Sequence, residues 1–370
     1  MQEFPPFLQR ALREQGRDLT ILVVRLAAMG DILRTLPVVR LLRRELGQAR
    51  IFWAVDDRWS IVLQGHPDLD GLVLFPRREW QQRQGPIFGW PGVVTSFRRF
   101  RADLRQVSAS LVLDFHGNLR SGATGWLSGA PVRLGYDGHQ QKELNRRFNT
   151  HHTPSGSRRT PRMERNLALY RALGLPDHPL PTGDLPLAEK GRSAAANVLA
   201  EIDCADRPFA VISPGASLSQ AYKKPPTALI SAACRRLAAE GVTPLVVWGP
   251  GEEEDASAVT GNPESNARLA PRTDLPCLAA LLDRARLFVG GDSGPLHMAC
   301  AVGCPVVGVY GPTDPQVNQP WAVPFRAVYA QSRVYSGIKR EDRAGGAFEG
   351  ISTAQVETSV QELLEETAGR

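Results

Sequence analysis

Along the chain, unbroken apolar runs alternate with polar turns and with apolar residues at helical spacing. The first run, Ile21 to Val24, has no polar alternation, the pattern of a parallel strand buried on both faces. Met29-Gly30-Asp31 follows, and then Ile32, Leu33, Leu36, Val39, Leu42 and Leu46 recur at helical spacing. IFWAV (51–55), LVLF (72–75) and SLVLDF (110–115) predict further strands, with helices between them, one near 93–106. Strands alternating with helices predict an open α/β sheet covered on both faces.

The pattern restarts after HPLPTGDLPLAEKG (178–191), whose prolines and glycines read as a linker. FAVIS (209–213), PLVVW (244–248), LFVG (287–290) and PVVGVYG (305–311) predict strands, and helices are expected near 191–202, 226–240, 252–259, 275–284 and 295–302. Two Rossmann-like domains in tandem result, a first over 1–185 and a second over 186–345. Ligands of such sheets bind beyond the carboxyl ends of the strands, so two facing domains are expected to form a cleft. The last stretch, 346–370, ends in an amphipathic helix with Thr353 as its cap and Val356 on its apolar face. It is expected to pack back on the first domain. No internal repeat is visible.

Composition narrows the class. Of 370 residues, 42% are hydrophobic and 22% charged, ordinary for a globular protein. No apolar run approaches the ~18 residues that cross a bilayer, and the start lacks the features of a secretory signal; a cytoplasmic protein is expected. The five cysteines are spread and odd in number, a poor disulfide or zinc pattern, and are read as small buried apolar residues. Charge divides unevenly. Residues 1–185 hold 27 Lys and Arg against 17 Asp and Glu, a surplus of 10, whereas the remainder holds 17 against 21. The basic residues include RR at 77–78, FRRFR at 97–101, RR at 146–147 and RRTPR at 158–162. Arginine forks suit phosphate and carboxylate. No nucleic-acid-binding motif accompanies them, so they read either as a solvated face or as a surface for an anionic acceptor, with contact at a membrane surface left open.

Five turns carry candidate chemistry. Asp31 follows a strand and opens a helix, and is either an N-cap or a general base whose pKa partial burial raises. SPGASLSQAYKKPP (213–226) offers Ser213 and Ser217 hydroxyls, Gly215 for close backbone approach, and Lys223 and Lys224 just before a helix. Cations there oppose the helix dipole, so they serve a bound phosphate better than they serve stability. In WGPGEEEDA (248–256), Glu252 either favours the helix N-terminus or accepts from a ribose diol. DSGPLH (292–297) offers Asp292, which accepts from hydroxyl or backbone N–H groups, and Ser293, the Gly294 N–H and His297, which can donate to phosphate oxygens. His66-Pro67-Asp68-Leu69-Asp70 holds an Asp-x-Asp, but its place before a strand reads as a turn, and no other arrangement suggests a metal.

The motifs together resemble a known family. VRLAAMGDILRTLP (24–37) resembles the opening loop of the bacterial ADP-heptose:lipopolysaccharide heptosyltransferases, glycosyltransferase family 9, and DFHGNLRSG (114–122) resembles that family's second acceptor-side loop. SPGAS…KKPP, VVWGPGEEE and VGGDSGPLHMACAVGCPVVGVYGPTDP resemble its nucleotide-sugar motifs, in the same order. The resemblance implies a GT-B fold, inverting transfer, and neither a metal nor another cofactor. It makes Asp31 the general base for the acceptor hydroxyl, Lys223 the partner of the donor diphosphate and Glu252 that of the ribose. Asp292, Ser293, Gly294 and His297 fall to the donor sugar and phosphates, and Arg120 to an anionic acceptor. The chain departs from the family in Ala27 and Ala28, where serines are frequent, and in Lys-Pro-Pro after its motif lysine.

The expected partners are an ADP-sugar donor and an anionic lipid-linked glycan, met at the cytoplasmic face of the inner membrane, and no nucleic acid. Two other classes share these features. A GT-B-fold epimerase would isomerise a nucleotide sugar without an acceptor, and a nucleotide- or polyanion-binding protein would do no chemistry.

Overall fold

Six parallel strands build the first sheet: β1 (Thr20–Val24), β2 (Arg50–Asp56), β3 (Gly71–Phe75), β4 (Leu111–Asp114), β5 (Val132–Asp137) and β6 (His151–Pro154), in the order β3-β2-β1-β4-β5-β6. Every residue of β1 is buried, and Ile21 sits level with Ile51 on one side and Leu111 on the other. This central place is why β1 reads as an unbroken apolar run. The computed structural model describes residues 3–82, 90–181, 185–331 and 346–369. The helices of this unit are α1 (Pro6–Arg13), α2 (Met29–Leu33), α3 (Leu36–Glu45), α4 (Arg77–Gln82), α5 (Trp90–Gln106), α6 (Leu119–Ser128) and α7 (Arg162–Arg171). Asn118 and Ser121 form a capping box that starts α6.

The second sheet repeats the same path. Its strands are β7 (Phe209–Ser213), β8 (Thr243–Val246), β9 (Arg268–Leu269), β10 (Phe288–Gly291), β11 (Val306–Val309) and β12 (Phe325–Val328), in the order β12-β11-β10-β7-β8-β9. Counted from its own first strand this is again 3-2-1-4-5-6, the doubly wound order. The repeat is one of topology, which the sequence does not show. The helices are α8 (Glu189–Glu201), α9 (Thr227–Ala239), α10 (Glu253–Thr260), α11 (Leu275–Arg284), α12 (Gly294–Val302), α13 (Pro315–Asn318) and α14 (Thr353–Glu366). The fold is the two-domain α/β GT-B type, as expected.

Four strands escaped the hydrophobic pattern. The outer strands β6, β9 and β12 are only partly buried, and β5 carries Arg133 among its apolar residues. Edge positions do not need a continuous apolar run. The chain divides into the units Met1–Pro181 and Thr182–Arg370. Residues 182–184 of the expected linker, and the expected boundary after 345, lie outside the described residues.

The C-terminal helix differs from expectation in two ways. Ser352, not Thr353, is its cap, in a box with Gln355. Its apolar face belongs to the second unit: Val356, Val360 and Leu363 are fully buried in a core shared with Ile230 and Leu237 of α9 and Val307 of β11. That unit's own sheet offers the apolar surface the helix needs. All five cysteines are free and buried, as read from their spacing. Among the described residues no helix is long and apolar enough to cross a membrane.

Truncating Leu363 to Ala should destabilise the second unit by about 2–5 kcal/mol, the cost of a large-to-small change at a closed core position. A lower urea midpoint would show it; a midpoint equal to the parent's would place the α14 face outside the core.

Candidate functional site

In each sheet the chain leaves the two middle strands toward opposite faces, and the crevice at their carboxyl ends is the place where such folds bind ligands. In the first unit this point lies between β1 and β4. Asp31 lies in α2, just past β1, and His116 lies just past β4. Asp31 is not a cap, because the N-cap of α2 is Ala28. Its carboxylate, 22% exposed, is held by three arginines. Arg25 reaches Oδ2, while Arg162 and Arg34 reach Oδ1 at 3.1 and 3.4 Å. Burial alone would push the Asp31 pKa up, but the guanidinium groups of Arg25, Arg162 and Arg34 outweigh it and hold the carboxyl well below the usual range. The expectation of a raised pKa is thereby overturned.

The surrounding bonds fix this arrangement. Arg25 also donates to the Phe115 carbonyl, tying the end of β1 to the end of β4. The Thr35 hydroxyl donates to the Asp31 carbonyl at 2.8 Å, and Asn166 of α7 donates to the Arg34 carbonyl at 3.0 Å. Asn166 and Arg162 lie four residues apart, on one face of α7, so one helix face carries both contacts. The fully buried Asp114 shapes the β4–α6 turn by accepting from the backbone of His116 and Gly117 and from the side chains of Ser121 and Asn145. Burial and the nearby Arg25 push the His116 pKa down to about 3, so this imidazole is neutral at pH 7.

Arg120 is the second residue of α6, and its guanidinium lies 5.6 Å from the Phe75 ring centroid. It lines a cavity of about 320 Å³ with Arg77, Trp80 and Phe97. Burial and the Arg77 charge lower its pKa, the mark of crowded cations. Asp56 already pairs with Arg58 at 2.7 Å and with Arg77 at 3.8 Å. The Asp-x-Asp turn is structural. Arg43 binds Asp70 at 2.6 Å, and the Ile51 N–H donates to the same carboxylate at 2.7 Å. Among the described residues no group of three His, Cys, Asp or Glu is placed to hold a metal ion.

In the second unit the equivalent crevice lies between β7 and β10. Ser213 is the last residue of β7 and is buried. Gly215 follows, packed so closely that a Cβ there would meet Glu252 Oε2 at 2.7 Å; only glycine permits this approach. Glu252 Oε2 in turn accepts from the Gly249 N–H at 3.1 Å, and burial pushes its pKa up. Ser217 is exposed and precedes the 3₁₀ turn Leu218–Lys223.

Lys223 and the β10–α12 turn meet directly. The Lys223 ammonium lies 3.3 Å from Asp292 Oδ2 and donates to the Asp292 carbonyl at 3.2 Å. His297 Nε2 lies 3.3 Å from Asp292 Oδ1. Asp292 and His297 are 3% and 5% exposed, so this acid orients a lysine and an imidazole, two partners that the sequence reading of Asp292 as an acceptor from hydroxyl or backbone N–H groups did not name. Ser293 is the N-cap of α12 without a side-chain capping bond, and Gly294 is its first residue. The first N–H groups of a helix have no intrahelical partner, which suits them to an anion. Lys224 points elsewhere, to Asp255.

Sequence reasoning missed Arg25, Arg34, Arg162 and His116 around Asp31, and Trp321, whose ring stacks on His297 at 5.8 Å. Arg162 had one signal, the cluster RRTPR. Nothing local marked it as a partner of a residue 131 positions away.

Residues 97–347 match the model of glycosyltransferase family 9 (heptosyltransferase). The chain is 27% identical to lipopolysaccharide heptosyltransferase 1 of Pseudomonas aeruginosa over 86% of its length and 83% of that protein's. It is 26% identical to lipopolysaccharide heptosyltransferase 3 of Escherichia coli, covering 90% of this chain and 96% of the relative. Its fold is similar to that of a family 9 glycosyl transferase from Veillonella parvula, with a TM-score of 0.79, 22% identity, and coverage of 95% and 98% of the two chains. An E. coli heptosyltransferase solved with ADP gives a TM-score of 0.71 at 21% identity, covering 93% of this chain and all of the other.

The arginine clamp has a pH signature. A carboxylate whose folded pKa lies below its ordinary 3.8 stabilises the fold above that pH and loses the contribution as pH falls through the folded value. Asp31→Asn should therefore cost about 3 kcal/mol at pH 7, and its deficit against the parent should shrink below about pH 4. Parallel denaturation of both proteins from pH 7 to pH 3 checks this; a deficit that does not change with pH would mean that the arginines do not hold an ionised Asp31.

Proposed function

The chain belongs to glycosyltransferase family 9, and from that premise we propose that it transfers a heptose, or a related sugar, from an ADP-sugar to an anionic glycan of the lipopolysaccharide core. One observation carries this reading: the two units gather opposite charge arrangements at the splits of their own sheets. The first presents a carboxylate among arginines; the second presents a lysine, a histidine and a helix N-terminus.

The division suits glycosyl transfer. The acceptor oxygen forms a bond to the anomeric carbon as the bond to the diphosphate breaks, through an oxocarbenium-like state. Asp31 takes the hydroxyl proton. Lys223 and the first N–H groups of α12 balance the charge that develops on ADP, with His297 held beside them by Asp292 and Trp321. This charge balance supports transfer without a metal. Glu252 keeps one oxygen on the Gly249 N–H and offers the other to a ribose hydroxyl, with Gly215 leaving room for the Glu252 side chain to lie against its backbone. Ser213, at the end of β7, and Ser217, in the turn that follows it, are the hydroxyls offered for polar contact with the donor. Arg120, beside Arg77, faces the acceptor. The anionic glycan places the protein at the cytoplasmic face of the inner membrane.

The deciding experiment measures binding first and products second. ADP should shift the melting temperature more than UDP, GDP or NAD, and ADP-heptose with a deacylated core oligosaccharide should give a heptosylated product by mass spectrometry, with EDTA present. Asp31→Asn, assayed at a temperature where it is folded, should bind ADP as the parent does and turn over roughly 10²-fold more slowly or worse. Near-parent turnover in that variant would remove Asp31 as the base; loss of activity in EDTA, restored by Mg²⁺, would end the metal-free reading.

Salt separates the two halves. The Debye length falls from ~10 Å at 0.1 M to ~3 Å at 1 M, so added salt should raise the acceptor KM much more than the donor KM. Arg120→Ala should raise the acceptor KM and leave ADP affinity alone. Weakened ADP binding in Arg120→Ala, or equal movement of both KM values with salt, would sink the assignment of a basic acceptor half.

A further inference from the structure

The three arginines on Asp31 are not equivalent. The side chains of Arg25 and Arg34 are 7% and 5% exposed, whereas that of Arg162 is 40% exposed. Arg25 is tied to the Phe115 carbonyl as well as to Oδ2. Arg162 instead covers Oδ1, with the longer 3.4 Å contact from Arg34 beside it. It is also the first residue of α7, where a cation opposes the helix dipole. Its place is thus favoured by an anion and not by its own helix.

The charge around Asp31 is in surplus. The Asp31 carboxylate faces the guanidinium groups of Arg25, Arg34 and Arg162, and farther into the same group Arg165 adds a fourth cation against one more carboxylate, that of Asp114, with Tyr136 within electrostatic range of both. His116, which also faces it, is neutral at pH 7 and adds no charge. A partly buried surplus of positive charge attracts a second anion, and of the three arginines only Arg162 is open enough to meet one from solvent.

We propose that Arg162 is a positioning residue shared between Asp31 and the acceptor: in the unliganded chain it covers Asp31 Oδ1, and an acidic group of the acceptor, a carboxylate or phosphate near the reacting hydroxyl, draws it away and opens Oδ1 to that hydroxyl. The proposal rests on the reading of Asp31 as the base. It makes the protein's activity depend on the charge next to the acceptor hydroxyl, and not only on the shape of the sugar. An uncharged acceptor finds Oδ1 still covered. An anionic one binds by the same exchange that readies the base.

The exchange makes Asp31 and the acceptor compete for one guanidinium, which binding can measure without turnover. The probes are a deacylated lipopolysaccharide core oligosaccharide and the same oligosaccharide with its phosphates removed and its carboxylates methyl-esterified. By titration calorimetry Asp31→Asn should bind the native oligosaccharide several-fold more tightly than the parent, and Arg162→Gln about tenfold more weakly, the loss of a charge-assisted bond. The double variant should match Arg162→Gln, and masking the acids should erase all three differences. In turnover, Arg162→Gln should raise KM for the native acceptor and raise kcat above the parent's for the masked one, a split that a merely structural residue would not produce. Unchanged affinity in Asp31→Asn, the same tightening with or without Arg162, or a lower kcat for both acceptors in Arg162→Gln would overturn the proposal. Should Asp31→Asn not fold, the comparison of native and masked acceptors with Arg162→Gln decides alone. Failure of the base reading would appear separately, as turnover retained in Asp31→Asn.

Discussion

Two neighbouring parallel strands whose connections leave to opposite faces cannot cover their own carboxyl ends. That constraint operates in both sheets of this protein, at β1 and β4 and again at β7 and β10, and the rest of the structure is arranged around it. The strands themselves are buried and apolar, so they hold the two crevices rigid. The turns that leave them are free of ladder hydrogen bonds and carry the polar residues. His116, Ser213 and Asp292 sit within two residues of such a strand end, and Asp31 lies in the first helix after β1.

The two crevices solve opposite electrostatic problems. In the first, a single carboxylate is surrounded by cations, and its ionised form is secured by Arg25, Arg162 and Arg34 against the cost of burial. In the second, a buried acid, Asp292, orients the cation Lys223 and the imidazole of His297. Orientation of this kind lowers the reorganisation needed when charge develops on a leaving group. A carboxylate held by cations is a weak proton acceptor while they stay in place, and of the three guanidinium groups on Asp31 only that of Arg162 is open to solvent.

Much of this was legible in the residues. The central strands announce themselves because burial on both faces demands unbroken apolar runs, and the turns after them hold the candidate residues because ligands of such sheets bind beyond the carboxyl ends of the strands. Asp31, Gly215, Lys223, Glu252 and the Asp292–His297 turn could be chosen on that ground. Edge strands β6, β9 and β12 were not legible, since a half-covered strand needs no such run. The cap of α14 was misplaced by one residue, because Ser352 and Thr353 both carry a hydroxyl and only the backbone angles distinguish cap from first turn.

Local pattern therefore determined the class of fold, the order of the central elements and the strand ends where chemistry collects, because these follow from periodicity and burial along a short stretch of chain. It did not determine which charges meet. The helix α7 follows β6, at the far edge of the sheet from β3, yet it returns to the α2–α3 junction near β1, where Asn166 binds the Arg34 carbonyl and Arg162 binds Asp31. Trp321 comes to lie on His297 in the same way, through elements that follow separate strands. Such meetings depend on how helices cross a finished sheet. The pKa of Asp31 moved opposite to the expectation for that reason: burial is a property of its own turn, but the three guanidinium groups that outweigh burial are assembled only by the tertiary structure.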